Sequence, residues 1–291
     1  MTQVLAIDIG GTKLSCGVVS DEGELLDRAQ TPTIDTRDQQ DLYDALRSLI
    51  EPFQPFNQYK ACGIGCAGPM RSKGSLVSPL NIPAWRDFPL ESRIELDTRL
   101  PTSVVGDVQA LAIGEGWAGA AVNVPNFMAM VVSTGVGGGI VLDGRLLIGR
   151  EGNAGHIGHV VIDTPGRKLP GHLQGSLEAE ASGLAIAEHT GRPAPEASDE
   201  VIAQTARLVG QAAGSTMNLL DLDLVVVGGG VALGFGDRFF QHAQEEVDRI
   251  CQLDFSKGAT IVPAGSGDEG PLIGAGGVGF RHLGIAVGGI S

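Results

Sequence analysis

Residues 5–19, LAIDIGGTKLSCGVV, set one carboxylate, Asp8, against a bare turn formed by Gly10, Gly11, Thr12 and Lys13. A turn of the same kind recurs at Thr134, Gly135, Gly137 and Gly138, again between two apolar runs. Backbone N–H groups at such turns can donate to phosphate oxygens without help from bulky cations. A carboxylate beside a phosphate repels it unless a cation intervenes, so Asp8 implies Mg²⁺ held largely through water. A third cluster, VVVGGG at 225–230, ends an apolar run, and Gly228 and Gly229 there would let an adenine or ribose lie against backbone. Each turn taken singly is equally well a tight hairpin. The two matching turns together with Asp8 point to a shared phosphate cleft.

Other nucleotide and hydrolase patterns are missing. GxxxxGK[ST] does not occur, and position 140 is isoleucine where GxGxxG starting at Gly135 needs glycine. HExxH and GxSxG are absent as well, which removes the hydrolases they mark.

The turns must be held by strands. VLAIDI, KLSCGVV and ELLDRAQ read as a three-stranded meander, and FMAMVVSTG, GGGIVL and RLLIG repeat the plan, as a duplication would. Helical and strand patterns alternate after each meander, with helices expected near 178–191, 198–220, 235–253 and 270–284. Such alternation implies α/β sheets covered by helices. The expected division is a first domain of 1–107 plus 269–291 and a second of 108–268, with a cleft facing both turns.

Composition narrows the class. The 291 residues carry a net charge of −14 and no Lys/Arg cluster, which argues against nucleic acid as a partner. No signal peptide pattern opens the chain and no apolar run reaches membrane-spanning length, so no membrane association and a cytoplasmic location are expected. The four cysteines, Cys16, Cys62, Cys66 and Cys251, lie in or beside apolar segments and read as buried thiols. Glycine, at 44 residues, is roughly twice as frequent as usual. Its clusters at 10–11, 137–139, 228–230 and 274–277 are expected to serve tight turns or close approach to a ligand.

Taken in order, AIDIGGTK, VVGDVQALAIGEGWAGA, VVSTGVGGGIVLDGRLLIG, EGNAGHIGHVVI, LEAEASG and VVVGGGV resemble the ROK family of sugar kinases and repressors over essentially the whole chain. The resemblance implies the actin/hexokinase-like (ribonuclease H-like) duplicated two-domain fold with a central cleft. It also implies ATP and Mg²⁺ as the nucleotide pair and a hexose, glucose or N-acetylmannosamine, phosphorylated at its 6-hydroxyl. Asp107 matches the base that accepts the sugar hydroxyl's proton, although an aspartate between strand and helix is also a good N-cap. Asn81, Asp107, His156, His159 and Glu178 match the residues that bind the sugar. A homodimer is the family's common assembly.

Three departures qualify the match. His156 stands where many relatives carry glutamate, which leans away from glucose and toward N-acetylmannosamine. Gly106 replaces the usual asparagine before the base. Leu169, Gly171 and Ser176 occupy the places of the thiolates in the family's zinc motif, and no cysteine occurs between 67 and 250, so no structural zinc is expected. The lost metal implies a loop, 163–175, more mobile than in zinc-bearing relatives, with His172 expected at the surface. A non-catalytic sugar-binding protein is one alternative reading. A sugar-responsive regulator is another, although such proteins carry a DNA-binding domain ahead of the DIGGTK strand and only seven residues precede Asp8.

Overall fold

The computed structural model describes residues 1–163 and 165–291. In chain order its main elements are β1 (Gln3–Ile9), β2 (Lys13–Ser20), β3 (Leu25–Pro32), α1 (Gln39–Ile50), β4 (Cys62–Cys66), α2 (Leu90–Thr98), β5 (Thr102–Gly106) and α3 (Asp107–Ala118). There follow β6 (Phe127–Val132), β7 (Val136–Leu142), α4 (Leu177–Ala181), α5 (Gly183–Thr190), α6 (Asp199–Leu220), β8 (Leu224–Gly228), α7 (Gly230–Phe235), α8 (Asp237–Ile250), β9 (Thr260–Pro263) and α9 (Gly270–His282). RLLIG, expected as a full strand, supplies only the two-residue strand Arg145–Leu146.

The chain divides into a first unit, Met1–Asn123 with Gly144–Ala154 and Gly265–Ser291, and a second, Val124–Asp143 with Gly155–Ala264. This differs from the sequence expectation in keeping α3 whole within the first unit. The reason is packing: α3 lies along α9, backbone against backbone. A Cβ added at Gly114 would stand 2.6 Å from the Gly270 carbonyl, and one at Gly274 would strike the Ala110 carbonyl. The 274–277 glycines therefore serve helix packing inside α9 and not a turn or a ligand.

In the first unit the sheet order is β3-β2-β1-β4-β5, with β1 antiparallel to β2 and parallel to β4. In the second, β7-β6-β8-β9 matches the β2-β1-β4-β5 part of that order, with β6 antiparallel to β7 and parallel to β8. Strands buried on both faces explain the unbroken apolar runs VLAIDI and LVVVG. Each unit has its own core. Leu5, Ile7, Ile64, Trp85 and Phe88 belong to the first, and Met128, Met130, Leu177, Val227 and Phe239 to the second. All four cysteines are buried and unpaired, and desolvation pushes the Cys16, Cys62 and Cys66 thiols up. Among the described residues no helix is long and apolar enough to cross a membrane.

Gly274→Ala should cost about 3 kcal/mol or more, because backbone rather than a pliable side chain meets the new methyl. Gly234→Ala, in α7 with nothing within 4 Å of its Cβ position, should be neutral or stabilise by up to about 1 kcal/mol. Urea unfolding midpoints of the two variants test the contrast.

Candidate active site

Asp8 lies near the C-terminal end of β1, opposite Ser15 of β2 and Gly65 of β4. Asp107 opens α3 directly after β5, whose Gly106 pairs with Cys66. Gly65 lies between the two acids and packs tightly on Ala110 of α3. Its Cβ position lies 3.5 Å from both Asp107 Cα and Asp8 Oδ1, and 3.0 Å from Ala110 Cβ. Burial is the main cause that raises the Asp8 carboxyl to about 7, Asp107 adds to the rise, and Lys13 opposes it. Desolvation also raises Asp107, against hydrogen bonding from backbone N–H groups including Val108, whose N–H lies 2.9 Å from Oδ1. Among the described residues no hydrogen-bond donor reaches the Asp8 carboxylate.

The first glycine turn is braced from β3. The Thr33 hydroxyl donates to the Gly10 carbonyl at 2.8 Å, and the Thr33 N–H donates to the Thr12 carbonyl at 3.0 Å. Gly10 departs from its expected role as a phosphate donor, because its N–H is given to the Lys13 carbonyl at 3.0 Å. Gly11 and Thr12 keep backbone N–H groups with no partner among the described residues. Asn81 comes against this turn, its Cβ only 2.9 Å from where a Cβ on Gly11 would stand. The Asn81 loop is pinned by buried Ile82 and by Arg86, whose guanidinium donates to the carbonyls of Pro79, Ile82 and Trp85 at 2.6–2.9 Å. The first unit thus brings Asp8, Gly11 and Asp107 around β1 and β4, with Asn81 at the turn.

In the second unit the corresponding turn is Ser133–Gly135, closed by the Ser133 N–H on the Gly135 carbonyl at 2.9 Å. Gly137 and Gly138 are not at its tip. They stand in the β7 ladder opposite Val131 and Met130, which leaves Thr134 and Gly135 as the amides of that set with no backbone partner among the described residues. The N-terminus of α5 donates to the turn, Gly183 N–H to the Ser133 carbonyl at 2.7 Å and Leu184 N–H to the Thr134 carbonyl at 3.3 Å. The expected helix at 178–191 is accordingly split at Ser182, whose extended backbone ends α4 and whose hydroxyl caps α5 through Ala185 N–H. Gly228 ends β8 beside the same turn. Gly229 follows at φ +95, its Cβ position 2.5 Å from the Val132 carbonyl, and leads into α7 at Gly230, ahead of the helix expected at 235–253.

The motif EGNAGHIGH spans the division between the units. Asn153 binds the Met70 backbone at both ends, accepting its N–H at 2.8 Å and donating to its carbonyl at 2.7 Å. Beyond it, Gly155 and Gly158 press onto β7, so that side chains at either would strike the Gly138 or Val136 carbonyl. Between them a short turn, Ile157–His159, buries Ile157 and leaves His156 and His159 outward with ring centroids 5.8 Å apart. Burial and His159 hold the His156 imidazole below its ordinary value, opposed by Glu178.

Glu178 is buried and doubly held. One oxygen accepts the Val136 N–H at 2.6 Å, and the other lies 2.8 Å from His172 Nδ1. His172 is therefore not the surface residue expected of it. Its side chain is only 14% exposed, because the loop folds back over α4. Arg167 N–H donates to Glu180, Gly175 N–H donates to the Arg167 carbonyl at 3.0 Å, and Gln174 binds the carbonyls of Pro165 and Gly166. The loop expected at 163–175 includes Thr164, which lies outside the described residues. Among the described residues no group of three or more His, Cys, Asp or Glu is placed to hold a metal ion.

Sequence reasoning missed two further residues. Gln109 Oε1 accepts the Gly106 N–H at 3.0 Å while its Nε2 donates to the carbonyls of Gly152 and Ala154. That caps α3 one residue before Asp107. Glu115, fully buried, gathers N–H groups from Ala120, Gly265 and Ser266 together with the Ser266 hydroxyl. The polar residues of VQALAIGEG signalled both, since a buried polar side chain in an apolar helix requires partners.

Two outcomes follow from this geometry. The folded chain keeps the Asp8 proton up to about pH 7, whereas the unfolded chain releases it near 3.8. Between those values the folded state binds more protons, so this group's contribution to stability falls as pH rises. In protein free of nucleotide and metal, Asp8→Asn should remove that fall, measured by urea midpoints across the interval. His172→Ala should cost about 1–2 kcal/mol by taking the donor from a buried carboxylate, read from the same unfolding curves at neutral pH.

The ROK family model matches residues 4–278. An N-acetylmannosamine kinase of Escherichia fergusonii is 36% identical over 249 residues, covering 80% of this chain and 84% of that protein. A ROK hexokinase from Thermus thermophilus superposes with a TM-score of 0.83 at 29% identity, covering 97% of this chain and 99% of that one. A ROK glucokinase from Streptomyces griseus, solved with glucose and AMPPNP, gives 0.81 at 26% identity over 96% and 99%. The duplicated sheet order is that of the actin/hexokinase-like fold these proteins share, and the chain belongs to the ROK family.

Proposed function

We propose that this protein is an ATP-dependent sugar kinase, a phosphotransferase with an alcohol acceptor, acting on the 6-hydroxyl of a hexose with N-acetylmannosamine preferred over glucose. The observation that carries the reading is the pair Asp8 and Asp107, two buried carboxylates on either side of Gly65, close enough that Asp107 adds to the rise of Asp8. Glu115, a buried carboxylate with structural work, has donors on both oxygens. Asp8 has none among the described residues and Asp107 accepts from Val108. The preference for N-acetylmannosamine rests on His156 and on curated relatives such as the Escherichia fergusonii enzyme.

Asp107 is assigned as the base. It takes the proton of the sugar hydroxyl as that oxygen forms its bond to the γ-phosphorus, and the bond from that phosphorus to the β-bridging oxygen breaks to release ADP. Its raised affinity for a proton, caused by desolvation, suits that step. Asp8 fits a hydrated cation, being a buried carboxylate that lacks donors and carries a second acid beside it. Mg²⁺, when bound, supplies neutralisation of the phosphate charge. The free amides of Gly11 and Thr12, the Lys13 side chain, and Thr134 and Gly135 are assigned to the phosphates, and Gly228 and Gly229 to the nucleoside. Asn81, His156, His159 and Glu178 are assigned to sugar hydroxyls, where an unmatched partner rejects the wrong sugar. Glu178 meets that role already oriented by Val136 and His172.

ADP release measured over glucose, mannose, N-acetylglucosamine and N-acetylmannosamine should be greatest with N-acetylmannosamine and require a divalent cation. Asp107→Asn should lower kcat by about 10²–10⁴ with folding unchanged. Turnover retained in that variant, or absent from the parent on every sugar, would sink the assignment.

A further inference from the structure

The first unit contains a cavity of about 250 Å³ that none of the assigned residues lines. It lies against β5, the start of α3 and the end of α9. Lys73, Arg281 and His282 face it, with Ser103, Gln109 and Gly152 among the polar and backbone lining, and no carboxylate contributes to its wall. In a chain of net charge −14, a wall carrying only basic ionisable groups is unexpected from composition.

Arg281 is one of the cationic residues lining the cavity. One terminal nitrogen donates to the carbonyl oxygen of Ser291 at 2.8 Å, while its Nε is buried and has no partner among the described residues. A buried guanidinium N–H without an acceptor is costly, and the planar donor edge of arginine matches an oxyanion. Lys73 makes no ion pair among the described residues. Glu151, whose backbone meets that of Lys73, has its carboxylate committed elsewhere, to the Ser72 N–H at 3.0 Å and to Arg150 at 3.6 Å. Lys73 itself is fixed in place, its own N–H donating to the Glu151 carbonyl at 3.0 Å.

We propose that this cavity is a second binding site, for the oxyanion group of a small metabolite, held by Arg281 and Lys73. Its wall includes Gln109, the residue that caps α3 just before Asp107. The assay is binding, so it stands or falls independently of the kinase reading. Isothermal titration of the whole protein with inorganic phosphate should show saturable binding that weakens at least tenfold in Arg281→Gln and in Lys73→Gln. The side chain of Lys73 has no hydrogen bond among the described residues, so Lys73→Gln retains the fold even where Arg281→Gln disturbs it. A parallel titration with acetate separates a site for any oxyanion from one for phosphate. Phosphate binding of equal strength in the parent and both variants, or none in the parent, would overturn the proposal.

Discussion

Backbone packed on backbone, with no side chain between, decides where the chemistry of this chain stands. Gly65 admits Ala110 and the first turn of α3, and this sets Asp107 beside Asp8. Gly114 and Gly274 keep α3 against α9, so the helix that begins with Asp107 is clamped from its other side. In the second unit Gly155 and Gly158 press on β7 in the same way and hold His156 and His159 on one short turn. A methyl group at any of these places would move a functional side chain as well as cost packing energy. The excess of glycine thus serves mainly to bring elements within reach of one another.

The carboxylates sort by how fully they are supplied with donors. Glu115 ties α3 to the segment at 265–266, and Glu178 ties β7 to the loop that carries His172. Both are buried carboxylates whose oxygens accept hydrogen bonds, as buried polar groups require. Asp8 is buried without that compensation, and its carboxyl is raised to about 7 as a result. An acid left in this state beside another acid is a place built for a cation or a proton to occupy. His172 supplies one of the contacts of Glu178 from across the folded loop.

The sequence by itself determined the fold class, the repeated meander, the two glycine turns and the acids beside them. Those features are local, written in apolar runs, bare turns and short motifs whose spacing alone carries the meaning. Tertiary structure decided which turn amides stay free. Gly10 is spent on Lys13, and Gly137 and Gly138 belong to a ladder, facts that depend on strand register. It also decided the partners of Gln109, Glu115 and His172, which lie far along the chain or across a folded loop. The glycines of α9 show the limit most plainly. Within the helix expected there, only the packing shows that Gly274 makes room for the Ala110 carbonyl of α3, Gly276 for the side chain of Val19 and Gly277 for that of Ile113.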